Sequence, residues 1–243
     1  DFHGTQTFGH RNPVVTQAVT DFLATPQPNW FPARVNPHAG ALAKALCERS
    51  ARTSIGHRPA YDNVFFAHSG SGAVEAAMKM ARAATGRPRV LSVDGAYHGT
   101  TMGSCSLMKP GMFRDPFGPH LPGCGALPFG DVDALAEAIR ANDVAAVIME
   151  PIQLEGGVRT HAPAYIEAAC ELTARHGTML VADEIKPLRE LLDLHDWPIR
   201  SIGREPILPE VRGKLLALHA GDTAASWHAW CNQARRHEHG KAK

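Results

Sequence analysis

The stretch "LVADEI", Leu180–Ile185, runs an apolar strand directly into two carboxylates. A carboxylate withdrawn from water is costly unless it is paired or hydrogen-bonded, so Asp183 at the strand's end calls for a partner. Read from the sequence, it has one only if a ligand is included. Similar apolar runs lie upstream at "VFFA" (Val64–Ala67), "RVLSV" (Arg89–Val93) and "AAVIM" (Ala145–Met149), and "TMLVA" (Thr178–Ala182) leads into Asp183 itself.

Helical periods separate these runs. After the break at "SGSG", Val74, Ala77, Met78 and Ala81 share one face. Asp131 caps a stretch carrying Val132, Leu135, Ala136 and Ile139. Pro163 opens another with Tyr165, Ala168, Ala169 and Leu172 buried, and Gly177 stops it. Apolar strands alternating with helices predict an α/β fold with a mostly parallel sheet and helices on both faces. Nearer the N-terminus, Asn12-Pro13 caps a helix with Val15, Ala18, Val19 and Phe22 on one stripe. Pro26, Pro28 and Pro32 punctuate a loop bearing Trp30 and Phe31, and Leu42, Ala45, Leu46 and Arg49 mark a second helix.

The chain has 243 residues and 44% hydrophobic content, enough for one sizeable core or a core with a small satellite. Lys+Arg number 25 against 24 Asp+Glu, so whole-chain electrostatics call for neither nucleic acid nor an anionic membrane. A small-molecule partner is expected. The five cysteines are scattered without a C-x-x-C pair, which argues against zinc and for a reducing, cytoplasmic setting. No apolar run approaches the roughly 18 to 20 residues of a membrane span. The opening "DFHGTQTFGH" has neither a basic nor an apolar leader region. Without an initiator Met, the chain is expected to be cut from something longer.

Sheets of this kind bind ligands beyond the carboxyl ends of their strands, so "HSGSG", "DGAYHGTT", "EPIQLEGG" and "DEI" are the places to look for chemistry. A Gly/Ser turn opening a helix can hold a phosphate on its backbone N–H groups, although the same turn also serves ordinary capping. Tyr97 can cover a flat ligand or fill core, and His98 reads first as a structural histidine. Asp183 can pair with a protonated ring nitrogen. A phosphate cradle, a stacking aromatic and an acid for a pyridinium together describe pyridoxal 5′-phosphate.

On "FGHRNPVV" (Phe8–Val15), "SGSGAVEAAMKMAR" (Ser69–Arg82), "AYHGTTMG" (Ala96–Gly103), "EPIQLEGGV" (Glu150–Val158) and "LVADEI", the chain resembles the class III aminotransferases. These form the ω-amino-acid, ornithine or acetylornithine branch of the fold-type-I pyridoxal-phosphate enzymes. The resemblance covers roughly residues 1–185 and implies a partial large domain there, with an atypical segment over 186–243. It implies that the Ser69, Gly70 and Ser71 corner holds the phosphate and that Tyr97 and Ile185 sandwich the ring, with His98 alongside. Asp183 would keep the ring nitrogen protonated, Glu150 would line the pocket, and Glu155 would pair with an arginine near the substrate carboxylate. It implies a homodimer, with an amine or amino acid as donor and a keto acid or aldehyde as acceptor.

The family's catalytic lysine forms a Schiff base with the cofactor and lies beyond the strand-end Asp, before a Gly-rich turn. Lys214 in "VRGKLLALHAG" fits the spacing. The sequence departs from the pattern elsewhere: Lys186 takes a glutamine position, Gly72 replaces an acid, and no family motif follows to Lys243. Leu188, Leu191 and Leu192 could form a short amphipathic helix, and Trp227 and Trp230 another. No acid or Cys cluster accompanies His237 and His239, as a metal site would need. Three functions therefore stand side by side: an aminotransferase, a truncated or frame-shifted homologue with impaired catalysis that binds the cofactor weakly or only a partner subunit, and an aminomutase or decarboxylase on the same scaffold.

Overall fold

The structure, a computed structural model, describes residues 9–28, 36–53 and 62–183. They fall into two units, the first ending at Val64 and the second beginning at Phe65. In the first unit, helix α1 (Pro13–Leu23) starts as the Asn-Pro pair predicts, with Asn12 Oδ1 accepting from the amides of Val14 (3.0 Å) and Val15 (3.3 Å). Helix α2 (Pro37–Thr53) repeats the device through Asn36 Oδ1, which accepts from the amides of His38 and Ala39. The Phe22 ring meets the His38 ring edge-on at 5.1 Å.

The second unit opens with helix α3 (Gly70–Thr85), where Ser69 Oγ accepts from the Gly72 amide at 3.1 Å and Gly86 closes the helix in a left-handed conformation. Strand β1 (Arg89–Val93), helix α4 (Met102–Ser106) and strand β2 (Cys124–Leu127) follow. Helix α5 (Val132–Arg140) has Asp131 as its cap and leads to β3 (Val144–Met149) and a small antiparallel hairpin, β4 (Ile152–Gln153) and β5 (Arg159–Thr160). Helix α6 (Pro163–His176) ends at Gly177 and feeds β6 (Met179–Ala182).

The main sheet has the order β2-β1-β3-β6, and every pair is parallel. Helices cover both faces. On one, Val74, Met78 and Ala81 of α3 pack against Val90, Ala146 and Ile148. On the other, Leu135 and Ile139 of α5 and Tyr165 and Ala169 of α6 pack against Leu91, Val93, Val147 and Met149. All six residues of β3 are buried because it lies in the middle of the sheet with a helical layer on each side.

One sequence expectation fails. Val64–Ala67 forms no strand; no strand among the described residues pairs with it, and Phe65 and Phe66 are exposed. An apolar run without a ladder partner leaves its backbone groups to water, and composition alone does not make it a strand.

The chain leaves β1 for β2 on one side and returns to β3 on the other, so the strand order reverses between β1 and β3. At the opposite, amino-terminal end of the sheet, the Arg87 guanidinium donates to the Val144 carbonyl (3.2 Å), Thr178 Oγ1 (3.1 Å), Asn142 Oδ1 (2.6 Å) and the His176 carbonyl (2.8 Å). That clamp holds the starts of β3 and β6 and the end of α6, leaving the carboxyl ends for ligand chemistry.

Candidate functional site

Four consecutive residues beyond β1 tie three other elements together. The Tyr97 amide donates to Glu150 Oε1 at 2.8 Å, His98 Nδ1 lies 2.9 Å from Asp183 Oδ2, and the Thr100 amide donates to Ser71 Oγ at 3.3 Å. Glu150 directly follows β3 and is 1% exposed; Asp183 follows β6; Ser71 lies in the first turn of α3. The predicted residues Ser71, Tyr97, His98, Glu150 and Asp183 are thus brought to one place, at the reversal of strand order.

The Asp183 amide donates to the Met149 carbonyl at 2.9 Å, which extends the β3–β6 ladder one residue past the strand and fixes where the carboxylate starts. Its side chain then meets His98, whose own side chain is wholly shielded from solvent. The expectation that only a ligand could partner Asp183 is therefore corrected: a histidine 85 residues away in sequence does so. A carboxylate can only accept, so Nδ1 carries the hydrogen. His98 Nε2 is buried and has no hydrogen-bond partner among the described residues.

At the other side of the site, Ser69 caps α3, and the amides of Gly70 and Ser71 fall in the first turn, outside the helical ladder. Gly99, with φ at +109°, lets the chain pass so close that a Cβ there would fall on the Ser71 side chain. The half-buried Tyr97 ring meets the Phe113 ring edge-on at 6.4 Å. The donor set fits pyridoxal phosphate: two first-turn amides and a hydroxyl at a helix N-terminus suit a phosphate, and a positioned carboxylate suits a protonated ring nitrogen.

Ile185 and Lys214 lie outside the described residues. Glu155 sits exposed in the turn between β4 and β5 and is not among the groups that residues 97–100 join. Three residues that the sequence did not single out, Glu75, Gln153 and Arg159, support the site. Glu75 accepts hydrogen bonds from Thr101 Oγ1 and from the Gly103 amide in the first turn of α4. Gln153, fully buried, donates to the Asp94 carbonyl at 3.2 Å, and Arg159 donates both to that carbonyl (2.6 Å) and to Gln153 Oε1 (2.7 Å). The Arg159 guanidinium also lies 4.1 Å above the Phe129 ring. His161 is stacked between Phe129 (4.4 Å) and Tyr165 (4.9 Å). Burial, then the charge of Arg159, pushes its pKa down to about 4; burial, then Asp131, pushes that of Tyr165 up to about 12. The quoted "EPIQ" contained the signal for Gln153, since it stands just past a buried strand. Nothing local signals His161.

A separate cavity of about 450 Å³, lined in part by Lys109, Arg114, Pro128 and Phe129, involves none of the predicted site residues. Among the described residues no helix is long and apolar enough to cross a membrane, and no group of three or more His, Cys, Asp and Glu could hold a metal.

The family described as "Aminotransferase class-III" matches residues 3–187. Among solved structures, the ornithine aminotransferase of Toxoplasma gondii matches with a TM-score of 0.67 and 29% identity, over 76% of this chain and 43% of its own. An amine transaminase from an uncultivated Pseudomonas species, with pyridoxal phosphate bound, gives 0.60 and 31% over 74% and 45%. A Bacillus anthracis aminotransferase gives 0.60 and 26% over 72% and 42%. The chain spans less than half the length of each. With the profile matching well over half its residues, across the very segments that converge on Asp183 and Ser71, the chain belongs to the class III aminotransferase family.

Proposed function

We propose that this chain is the cofactor-holding part of a pyridoxal-phosphate-dependent aminotransferase, one that moves an amino group from an amine or amino acid to a keto acid or aldehyde. The observation that carries the reading is the set of three hydrogen bonds made by residues 97–100. His98 and Thr100 are two positions apart, so the Cα atoms of the two residues that contact Asp183 and Ser71 lie no more than about 7 Å from each other. One flat ring with a phosphate arm can then touch both. Family membership and the likeness to an ornithine aminotransferase and an amine transaminase support the same reading.

In this reading the amides of Gly70 and Ser71 and the Ser71 hydroxyl bind the phosphate, with Ser69 shaping the turn. Tyr97 covers one ring face and Ile185 the other. Asp183, oriented by His98, keeps the ring nitrogen protonated. Glu150 fixes Tyr97 by accepting its amide hydrogen. When bound, the cofactor supplies an electron sink for a substrate carbanion. Lys214 would serve as the proton carrier for the substrate, and Glu155 would pair with an arginine near the substrate carboxylate. A partial large domain over 1–185, a cytoplasmic setting and a homodimer belong to the same reading.

The test is borohydride reduction of the full chain loaded with pyridoxal phosphate, followed by peptide mapping and single-turnover reaction with amine donors. Label on Lys214 and amino transfer are expected. Cofactor binding without transfer would instead support the impaired homologue, and no binding would overturn the reading altogether.

A further inference from the structure

We infer that Glu75 is a positioning residue, which holds the ring-covering segment and the phosphate corner in one fixed geometry; the inference rests on the cofactor reading above. Ser71 and Glu75 stand one helical turn apart on α3, and therefore on the same face. The chain after Tyr97 runs along that face. The Thr100 amide donates to Ser71 Oγ, and one oxygen of Glu75, Oε1, accepts from Thr101 Oγ1 (2.6 Å), the Gly103 amide (2.7 Å) and the Ser104 amide (3.3 Å). Approach is so close that a Cβ at Gly103 would strike the Glu75 carboxylate, as one at Gly99 would strike Ser71.

Thr101 occupies the N-cap position of α4, yet its side chain makes no capping bond. Glu75, from the neighbouring helix, satisfies those amides in its place. A carboxylate serving three donors is a strong local anchor, because each bond is charge-assisted. The Tyr97–Thr101 segment is consequently held at both ends, by Glu150 at the Tyr97 amide and by Glu75 at Thr101.

The arrangement also sets the Ser71 hydroxyl. Its oxygen accepts from the Thr100 amide, which orients the lone pairs and leaves the hydroxyl hydrogen as a donor for a phosphate oxygen. Glu75 keeps Thr100 where it makes that bond. The residue touches no ligand; it acts through the chain that does.

The experiment compares the full chain with Glu75→Ala and Glu75→Gln, reading amide hydrogen exchange at residues 97–104 without cofactor and pyridoxal phosphate affinity by titration. Glu75→Ala is expected to speed exchange at Gly103 and Ser104 by about tenfold or more and to weaken cofactor binding by about tenfold. Glu75→Gln, which keeps an accepting Oε1 but gives up the charge, is expected to recover part of the loss and fall between the parent and Glu75→Ala in both. Exchange and affinity both unchanged in Glu75→Ala would overturn the inference, as would fast exchange with unaltered affinity. If the parent chain binds no cofactor, the functional reading fails by itself. The exchange arm then still judges the anchor: unchanged protection in Glu75→Ala would overturn it, and lost protection would uphold it. Should Glu75→Ala not fold, Thr101→Val removes one donor alone. It is expected to raise exchange at Gly103 and Ser104 by about threefold while leaving α6 untouched, and no change would overturn the inference.

Discussion

His98 Nδ1 lies 2.9 Å from Asp183 Oδ2, joining the segment after β1 to the end of β6. The histidine side chain is fully shielded and that of the aspartate is 12% exposed, so the contact satisfies Nδ1 away from water and gives the carboxylate a buried donor. The contact also fixes the plane of the carboxylate, which sets the direction from which a ring nitrogen can approach it.

Replacing His98 by Ala removes the hydrogen bond that Asp183 accepts from the imidazole. The expected cost is about 1.5–3 kcal/mol of stability, the range for hydrogen bonds to charged groups. Urea unfolding of His98→Ala and Asp183→Asn checks it. The asparagine, able to reorient and bond the imidazole, should lose less than the alanine. Equal losses would mean that the pair contributes through packing alone.

Gly99 gives a sharper test of the phosphate corner. Its φ of +109° strains any L side chain, and the added Cβ would displace Ser71. Gly99→Ala is expected to cost about 2–4 kcal/mol, combining backbone strain with a local clash. It should also weaken binding of inorganic phosphate, read by calorimetric titration. An undiminished phosphate affinity would place the anion somewhere other than the start of α3.

The strands of this site were legible where burial is complete on both faces. "AAVIM" is apolar throughout, and "RVLSV" apolar but for Arg89 and Ser92, because helices cover both strands on each side, and the Asp131 and Gly177 signals marked their helices correctly. Strand β2 was not legible. Its "CGAL" is short, half exposed and free of β-branched residues, and it is held in place by its register against Val90–Val93. Helix α4 is five residues long, too short to show a period, and takes its cap from Glu75 rather than from its own sequence. Val64–Ala67 erred the other way, with strand composition and no ladder. The contacts that build the site, His98 with Asp183 and Tyr97 with Glu150, join residues 85 and 53 positions apart, and no local pattern encodes such pairs.

The Tyr165 hydroxyl is buried and has no hydrogen-bond partner among the described residues, while its ring packs on His161 and the α5 side of the core. Removing an orphaned hydroxyl gives up no bond and ends its desolvation penalty. Tyr165→Phe is expected to be neutral or to raise stability by up to about 1 kcal/mol, measured as a shifted urea midpoint at unchanged slope. A clear loss would reveal a water or ligand bound to that oxygen.

His161 makes the same region pH-sensitive. Held between two rings, with both nitrogens unpaired among the described residues and Arg159 nearby, it resists protonation until about pH 4, against an ordinary value of 6.5. The sign follows from which state binds the proton. Above 6.5 neither folded nor unfolded chain does, and the contribution to stability is complete. Between about 6.5 and 4 the unfolded chain takes a proton that the folded unit refuses, so stability falls as pH drops through this window and levels off below it. The loss should approach about 3 kcal/mol, at 1.36 kcal/mol per pH unit of separation. His161→Phe keeps a ring in the stack and cannot titrate, so subtracting its unfolding curve from that of the parent cancels the carboxylates common to both. A difference that grows on acidification from about pH 7 to pH 4.5 is expected, and parallel curves would mean that this histidine already accepts its proton in the folded state.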